Sequence, residues 1–200
     1  ASVDSRLPRR VTPAMDDVLL HTCCAPCASA CIERLQAARY GVTLFFSNAN
    51  IGDADEYVRR LRSVERLAAA LRVELIVDTE ARHGDWLAAI RGHEQAPEGG
   101  ARCRPCFGFS LERTARAAAR LGLAHFTTSL TVSPHKHTPA ILAAGRAVDA
   151  ARFLPLDFKK QGGFARSVAL ARQYSLYRQD YCGCEFSQRP APVPHPPTPG

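Results

Sequence analysis

The sequence predicts a single α/β domain, a parallel sheet covered by helices on both faces. Short apolar runs of strand length alternate along the chain with stretches of helical period, which is the pattern of repeated strand-helix units. Those runs are mostly apolar throughout, as strands buried on both faces require. The 200 residues, 46% hydrophobic and 22% charged, suit one ordinary globular core.

VLLHT (18–22) reads as the first strand. A helix should follow over about 26–39, with Pro26 in its first turn, where a missing N–H costs little. VTLFFSN (42–48) is the second strand. Over 54–71, Tyr57, Val58, Leu61, Val64, Leu67, Ala68 and Leu71 share one face while Arg59, Arg62 and Arg66 point elsewhere, giving an amphipathic helix. Asp53, Asp55 and Glu56 supply its N-cap and first-turn charges. VELIVDT (73–79) is the third strand, followed by a short helix near 85–90 and a Gly-rich loop. A helix over about 109–121, a strand HFTTSLTV (125–132), a helix near 138–150, a strand RFLPLDF (152–158) and a helix near 164–175 complete the domain. The domain spans residues 17–187. Residues 1–16 read as a flexible segment, and QRPAPVPHPPTPG (188–200), with six prolines and no apolar period, reads as a disordered tail.

No apolar run approaches the roughly 20 residues of a membrane helix, and residues 1–17 lack the apolar centre of a secretory signal. The expected setting is the cytoplasm, without a membrane partner. The chain carries 26 Lys+Arg against 19 Asp+Glu, a net charge of +7, and its only lysines are Lys136, Lys159 and Lys160. Arginine-rich charge suits forked contacts to a polyanion, although GC-rich coding produces the same bias.

Eight cysteines fall in three groups: Cys23, Cys24, Cys27 and Cys31; Cys103 and Cys106; Cys182 and Cys184. In a cytosolic chain such grouping points to metal, cluster or redox chemistry before structural disulfides. The first group directly follows the first strand, where ligands of parallel sheets bind. HTCCAPCAS has no glycine there and no phosphate-loop pattern, so ATP or dinucleotide use lacks support. Cys23 and Cys24 with the Cys103-x-x-Cys106 pair offer four thiolates, enough for a 4Fe-4S cluster or an all-cysteine zinc site. Adjacent cysteines diverge on extended backbone, which favours the cluster. Cys27 sits at the mouth of the site as a candidate ligand of a second metal or of the exposed side of the cluster, and Cys31, one turn deeper, reads as core. Cys182-Gly-Cys184 suits either a strained, readily reduced disulfide or extra metal ligands. Tyr177, Arg178 and Tyr181 beside it suit base stacking and phosphate contact, or simple packing of a C-terminal turn. His21 reads as a core residue or one that supports the cysteines from behind, and His135 and His137 lie in a turn.

Taken together, HTCCAPC, FFSNANIGDADEYVRR, RCRPCFGFSLERTA, FTTSLTVSPHKH and LYRQDYCGC resemble the epoxyqueuosine reductase QueH family over about residues 18–187. The resemblance implies a Rossmann-like, nucleotide-hydrolase-like sheet. It also implies an oxidoreductase that converts epoxyqueuosine to queuosine at the wobble position of GUN anticodons, the last step of queuosine synthesis, without cobalamin. On the matching motifs it implies a 4Fe-4S cluster on Cys23, Cys24, Cys103 and Cys106. Cys182 and Cys184 would be a redox-active pair and Cys27 a ligand of one adjacent iron. Tyr181 and Tyr177 are then candidate proton donors, Tyr177 and Arg178 substrate contacts, and Arg59, Arg60, Arg62, Arg178, Lys159 and Lys160 phosphate contacts to tRNA. An electron donor that the sequence does not name is also needed. NANIGDADEY departs from the N-P-N-I segment of many members by Ala49, a change in loop stiffness. A zinc-stapled tRNA-binding module, a cluster-dependent tRNA thiolase and a plain thiol oxidoreductase are the alternatives.

Overall fold

The uninterrupted apolar run Val18-Leu19-Leu20 forms the middle of β1 (Asp17–His21), the strand around which a computed structural model of the chain is organised. That structure describes residues 16–187, so nearly all of the N-terminal segment and the whole proline-rich tail lie outside the described residues. The chain continues through α1 (Ala25–Ala37), β2 (Gly41–Phe46), α2 (Ala54–Leu71), β3 (Glu74–Val77), α3 (His83–Ala89), α4 (Cys103–Arg120), β4 (His125–Thr128), α5 (Thr138–Asp149) and α6 (Gly163–Gln173). The four strands pair in parallel in the order β3-β2-β1-β4, with Val18 opposite Val42 on one side and His125 on the other.

Side-chain alternation along the strands divides the core in two. Val18, Leu20, Leu44 and Phe46 face α1, α2 and α6, while Leu19, Phe45 and Phe126 face α4 and α5. Each such fully buried side chain contributes about 1.5–3 kcal/mol of apolar burial, so both faces are covered as the sequence predicts. Cys31 belongs to the first core and is fully buried, as expected. Asp53 caps α2 by accepting the N–H groups of Asp55 and Glu56 at 2.9 and 3.1 Å.

The structure departs from expectation at the start of α4, at the end of β4, expected to run to Val132, and over 152–158. Helix α4 starts at Cys103, six residues before the apolar period at Phe109 announces it, because Pro105 falls in the first turn, where no helix bond is lost. The predicted strand 152–158 is not a strand. Only the single bridge Phe126–Phe153 forms, Pro155 has no N–H to offer, and β4 gives way at Ser129 to a 3₁₀ turn (Ser129–Val132). The hydroxyls of Thr127 and Thr131 donate instead to the carbonyls of Leu154 and Leu156, at 2.9 and 3.0 Å. The carboxyl ends of β1, β2 and β4 thus open on one side, and the cysteine groups gather there.

Candidate metal and redox centre

The chain bends at Cys23 between β1 and α1. The sulfurs of adjacent Cys23 and Cys24, expected to diverge, therefore lie 3.9 Å apart. With Cys27, one turn into α1, they form a triad whose sulfurs are all within 4.8 Å of one another. Ser129 holds Cys23 from the β4 side, its Oγ accepting the Cys23 N–H at 3.2 Å and lying 3.4 Å from the sulfur. Hydrogen bonds from Cys23 and Cys27 hold Cys24 well below the usual thiol range, and the same bonds push Cys23 and Cys27 up. Gln179 adds a further hydrogen bond that favours the Cys24 thiolate.

These sulfurs line a cleft of about 470 Å³, together with Cys106 from the first turn of α4 and Cys182 from the C-terminal segment. Burial pushes the Cys106 thiol up to about 12, helped by the charge of Cys182 and opposed by Trp86 and Lys136. Cys103 sits behind the cleft wall in the second core, where its sulfur accepts the Gly99 N–H at 3.2 Å. The structure therefore brings Cys23, Cys24, Cys27, Cys106 and Cys182 to one cleft and keeps Cys103 and Cys184 on its inner side.

The C-terminal segment 177–187 has no regular element before the 3₁₀ turn Glu185–Ser187, and charged side chains hold it. Arg60, expected among exposed phosphate contacts, is instead 2% exposed. It pairs with Glu56 at 2.6 Å, donates to the Cys182 and Tyr181 carbonyls at 3.0 and 3.3 Å, and lies over the Tyr181 ring at 5.4 Å. It was on the apolar face all along, three residues after Tyr57 and four before Val64. Gly183 has φ +116°, and a Cβ there would meet the Arg60 guanidinium at 2.9 Å, so only glycine allows this grip. From the other side Arg102 donates to the Phe186 carbonyl at 3.2 Å and reaches the carbonyls of Glu94 and Ala96. His83 ties Ala49 to Glu185, at 2.8 and 3.0 Å.

Cys182 and Cys184 stand as free thiols, and Cys184 Sγ donates to Ser187 Oγ at 3.4 Å. The neighbouring Cys184 thiol, and then the Lys136 ammonium, hold Cys182 well below the usual thiol range, while Cys182 and burial push Cys184 up. Lys136 Nζ donates to Cys182 Sγ at 3.0 Å and lies 5.8 Å from the centre of the Phe107 ring. The Lys159 ammonium holds the Lys136 carbonyl at 3.1 Å. Sequence reasoning gave no role to Lys136, whose only signals are its place after β4 and its rarity in an arginine-dominated chain. Trp86 and Gln179 were likewise missed.

Tyr181 and Arg178 line the cleft. Tyr177 does not; its hydroxyl donates to Glu56 at 2.8 Å and Arg59 lies over its ring. His21 is buried with Nε2 3.2 Å from the Ser47 carbonyl, so Nε2 carries the proton and Nδ1 accepts from Thr128 at 2.9 Å. Burial lowers its pKa, which keeps the imidazole neutral. His135 lines the cleft, whereas Nδ1 of His137 accepts the Ala140 N–H near the start of α5. Among the described residues no helix is long and apolar enough to cross a membrane.

A family model described as epoxyqueuosine reductase QueH matches residues 18–190. The chain is 36% identical over 180 residues to an epoxyqueuosine reductase QueH of Streptococcus pyogenes serotype M1, covering 86% of this chain and 70% of that one. It is 34% identical over 178 residues to the QueH of Thermotoga maritima, covering 86% and 91%. A third relative, the QueH of Acinetobacter baylyi, is 32% identical over 190 residues, covering 92% and 86%.

Proposed function

This chain belongs to the epoxyqueuosine reductase QueH family, and we propose that it reduces epoxyqueuosine to queuosine at the wobble position of tRNA with GUN anticodons. The observation that carries this reading is the convergence of Cys23, Cys24, Cys27, Cys106 and Cys182, from three distant parts of the chain, on one cleft beyond the strand ends. Removing the epoxide oxygen as water leaves an alkene and consumes two electrons and two protons. A site for this reaction needs an electron source, proton carriers and a partner for the departing oxygen.

The donor set fits an iron-sulfur centre. Thiolates suit iron-sulfur clusters, three sulfurs already lie within 4.8 Å, and two buried polar atoms, Gln179 Oε1 on the cleft-lining segment and Trp86 Nε1 in the cluster that packs against Cys106, are left without partners among the described residues. In this reading Cys23, Cys24, Cys103 and Cys106 hold a 4Fe-4S cluster and Cys27 an adjacent iron. Cys103 joins them by releasing the Gly99 N–H. When bound, these metals supply one-electron transfer and a Lewis acid for the epoxide oxygen.

The protein supplies the rest. Oxidation of the Cys182 thiolate and the Cys184 thiol to a disulfide releases two electrons and one proton, and the Lys136 ammonium beside Cys182 holds the second proton. This balances the two electrons and two protons the epoxide takes up. An external reductant then restores the dithiol. Tyr181, on the cleft wall, is a second proton carrier. Arg178 at the cleft, with exposed Arg59, Arg62 and Lys160, holds the anticodon arm by its phosphates. Tyr177 supports that surface through Glu56. Cobalamin has no part in this scheme.

The test is anaerobic reconstitution with iron and sulfide, then incubation with epoxyqueuosine-containing tRNA and dithionite, reading the nucleoside by mass. Loss of one oxygen, dependent on iron and absent with zinc, is the expected result. An unaltered base with tight zinc binding would establish the zinc-stapled RNA-binding reading instead.

A further inference from the structure

The chain has one tryptophan, Trp86. It lies on α3, 1% exposed, in a small apolar cluster that also contains Cys184 and packs against Cys106. Its ring is stacked on His83 at 5.4 Å and flanked by Phe186 at 6.2 Å. His83 is itself pinned between Ala49 and Glu185, so the indole has little freedom to turn. Nevertheless its N–H is buried and finds no acceptor in hydrogen-bonding geometry among the described residues. A native protein seldom leaves such a donor unpaired, and where it does an ion or a redox group often accounts for it. Of the sulfurs that line the cleft, Cys106 is the one that packs against this cluster. A neutral thiol is a weak acceptor, whereas sulfur carrying thiolate charge accepts strongly. An N–H that is orphaned beside the thiol acquires its partner when that sulfur is a ligand.

We propose that the indole N–H of Trp86 donates to the Cys106 sulfur in the metal-loaded protein, making Trp86 a positioning residue that fixes this ligand and tunes the centre from behind the cleft. The inference rests on Cys106 being a metal ligand. Hydrogen bonds to ligating sulfurs stabilise the more reduced, more negative state of a cluster and so raise its reduction potential. They also hold the ligand in its binding orientation.

The test compares the full chain with its Trp86→Phe and Cys106→Ser variants after anaerobic reconstitution with iron and sulfide. Trp86→Phe keeps the ring and loses the N–H. It should bind as much iron as the parent, lose it about tenfold more readily to a chelator, and show a lower reduction potential. Wild-type retention and potential in Trp86→Phe would overturn the proposal. A second measurement needs no folded variant: with zinc in place of iron, the single indole N–H resonance of the parent should move downfield and exchange more slowly on metal loading. An unmoved resonance would count against the hydrogen bond. If Cys106→Ser binds and retains metal as the parent does, the ligand reading itself fails, and that result is distinct from a null effect of Trp86→Phe alone.

Discussion

The turn at Cys23–Cys27 and the segment 177–187 bring thiols to the same cleft by opposite means. The first is placed by regular structure: β1 ends, the chain bends and α1 begins, so the positions of Cys23, Cys24 and Cys27 follow from backbone geometry. The second is held by long-range charge contacts, in which Arg60 grips the Cys182 and Tyr181 carbonyls, Arg102 grips Phe186 and Lys136 grips the Cys182 sulfur. A site built on both has a rigid half and a half that single side-chain changes can release. That division suits the proposed reaction, in which a fixed metal-binding wall faces a dithiol that changes oxidation state.

The largest effect should come from releasing the charged half. Arg60→Ala leaves Glu56 buried with only Arg59 and Tyr177 as partners, and breaking a buried pair of this kind costs about 3 kcal/mol. Denaturant unfolding should show that loss, together with slower closure of the Cys182–Cys184 disulfide. Stability equal to the parent would mean that the pair does not hold the segment. Next is Gly183→Ala, which places a Cβ at positive φ against the Arg60 guanidinium. Strain of this class costs about 1–3 kcal/mol, and turnover should fall while iron content stays the same.

Lys136→Met probes the charge on Cys182 more gently. The ammonium lowers the Cys182 thiol, so removing it raises that pKa and reduces the thiolate fraction at neutral pH. The pH profile of alkylation at Cys182, read by mass, should move to higher pH in the variant, and an unmoved profile would mean that the ammonium does not set the charge on Cys182. The smallest effect is expected from Cys31→Ala, deep in the first core. Stability should fall by about 1 kcal/mol with iron content and turnover unchanged, and loss of iron would move Cys31 into the metal site.

The same contrast explains what was legible in the sequence. The strand β1, the helix start at Pro26 and the Asp53 cap follow local rules, and local patterns identified them. Cys31 was recognisable as core because it shares the inward face of α1. Arg60 was readable in principle from its spacing to Tyr57 and Val64, but positive charge argues for the surface unless a buried carboxylate is known to await it. Lys136, Trp86 and Arg102 act across 46, 20 and 84 residues of sequence, on Cys182, Cys106 and Phe186, and no local period carries that information. The segment 152–158 looked like a strand because its apolar residues fit one; the threonine hydroxyls that replace its ladder bonds belong to another part of the chain.

The most direct test of this division of labour is a side-by-side measurement of iron content and single turnover in Cys24→Ser and Cys184→Ser after identical anaerobic reconstitution. Cys24→Ser should lose iron and turnover together, whereas Cys184→Ser should keep its iron and lose turnover. Loss of iron from Cys184→Ser, or full turnover in it, would contradict the assignment of the two halves to metal binding and dithiol chemistry.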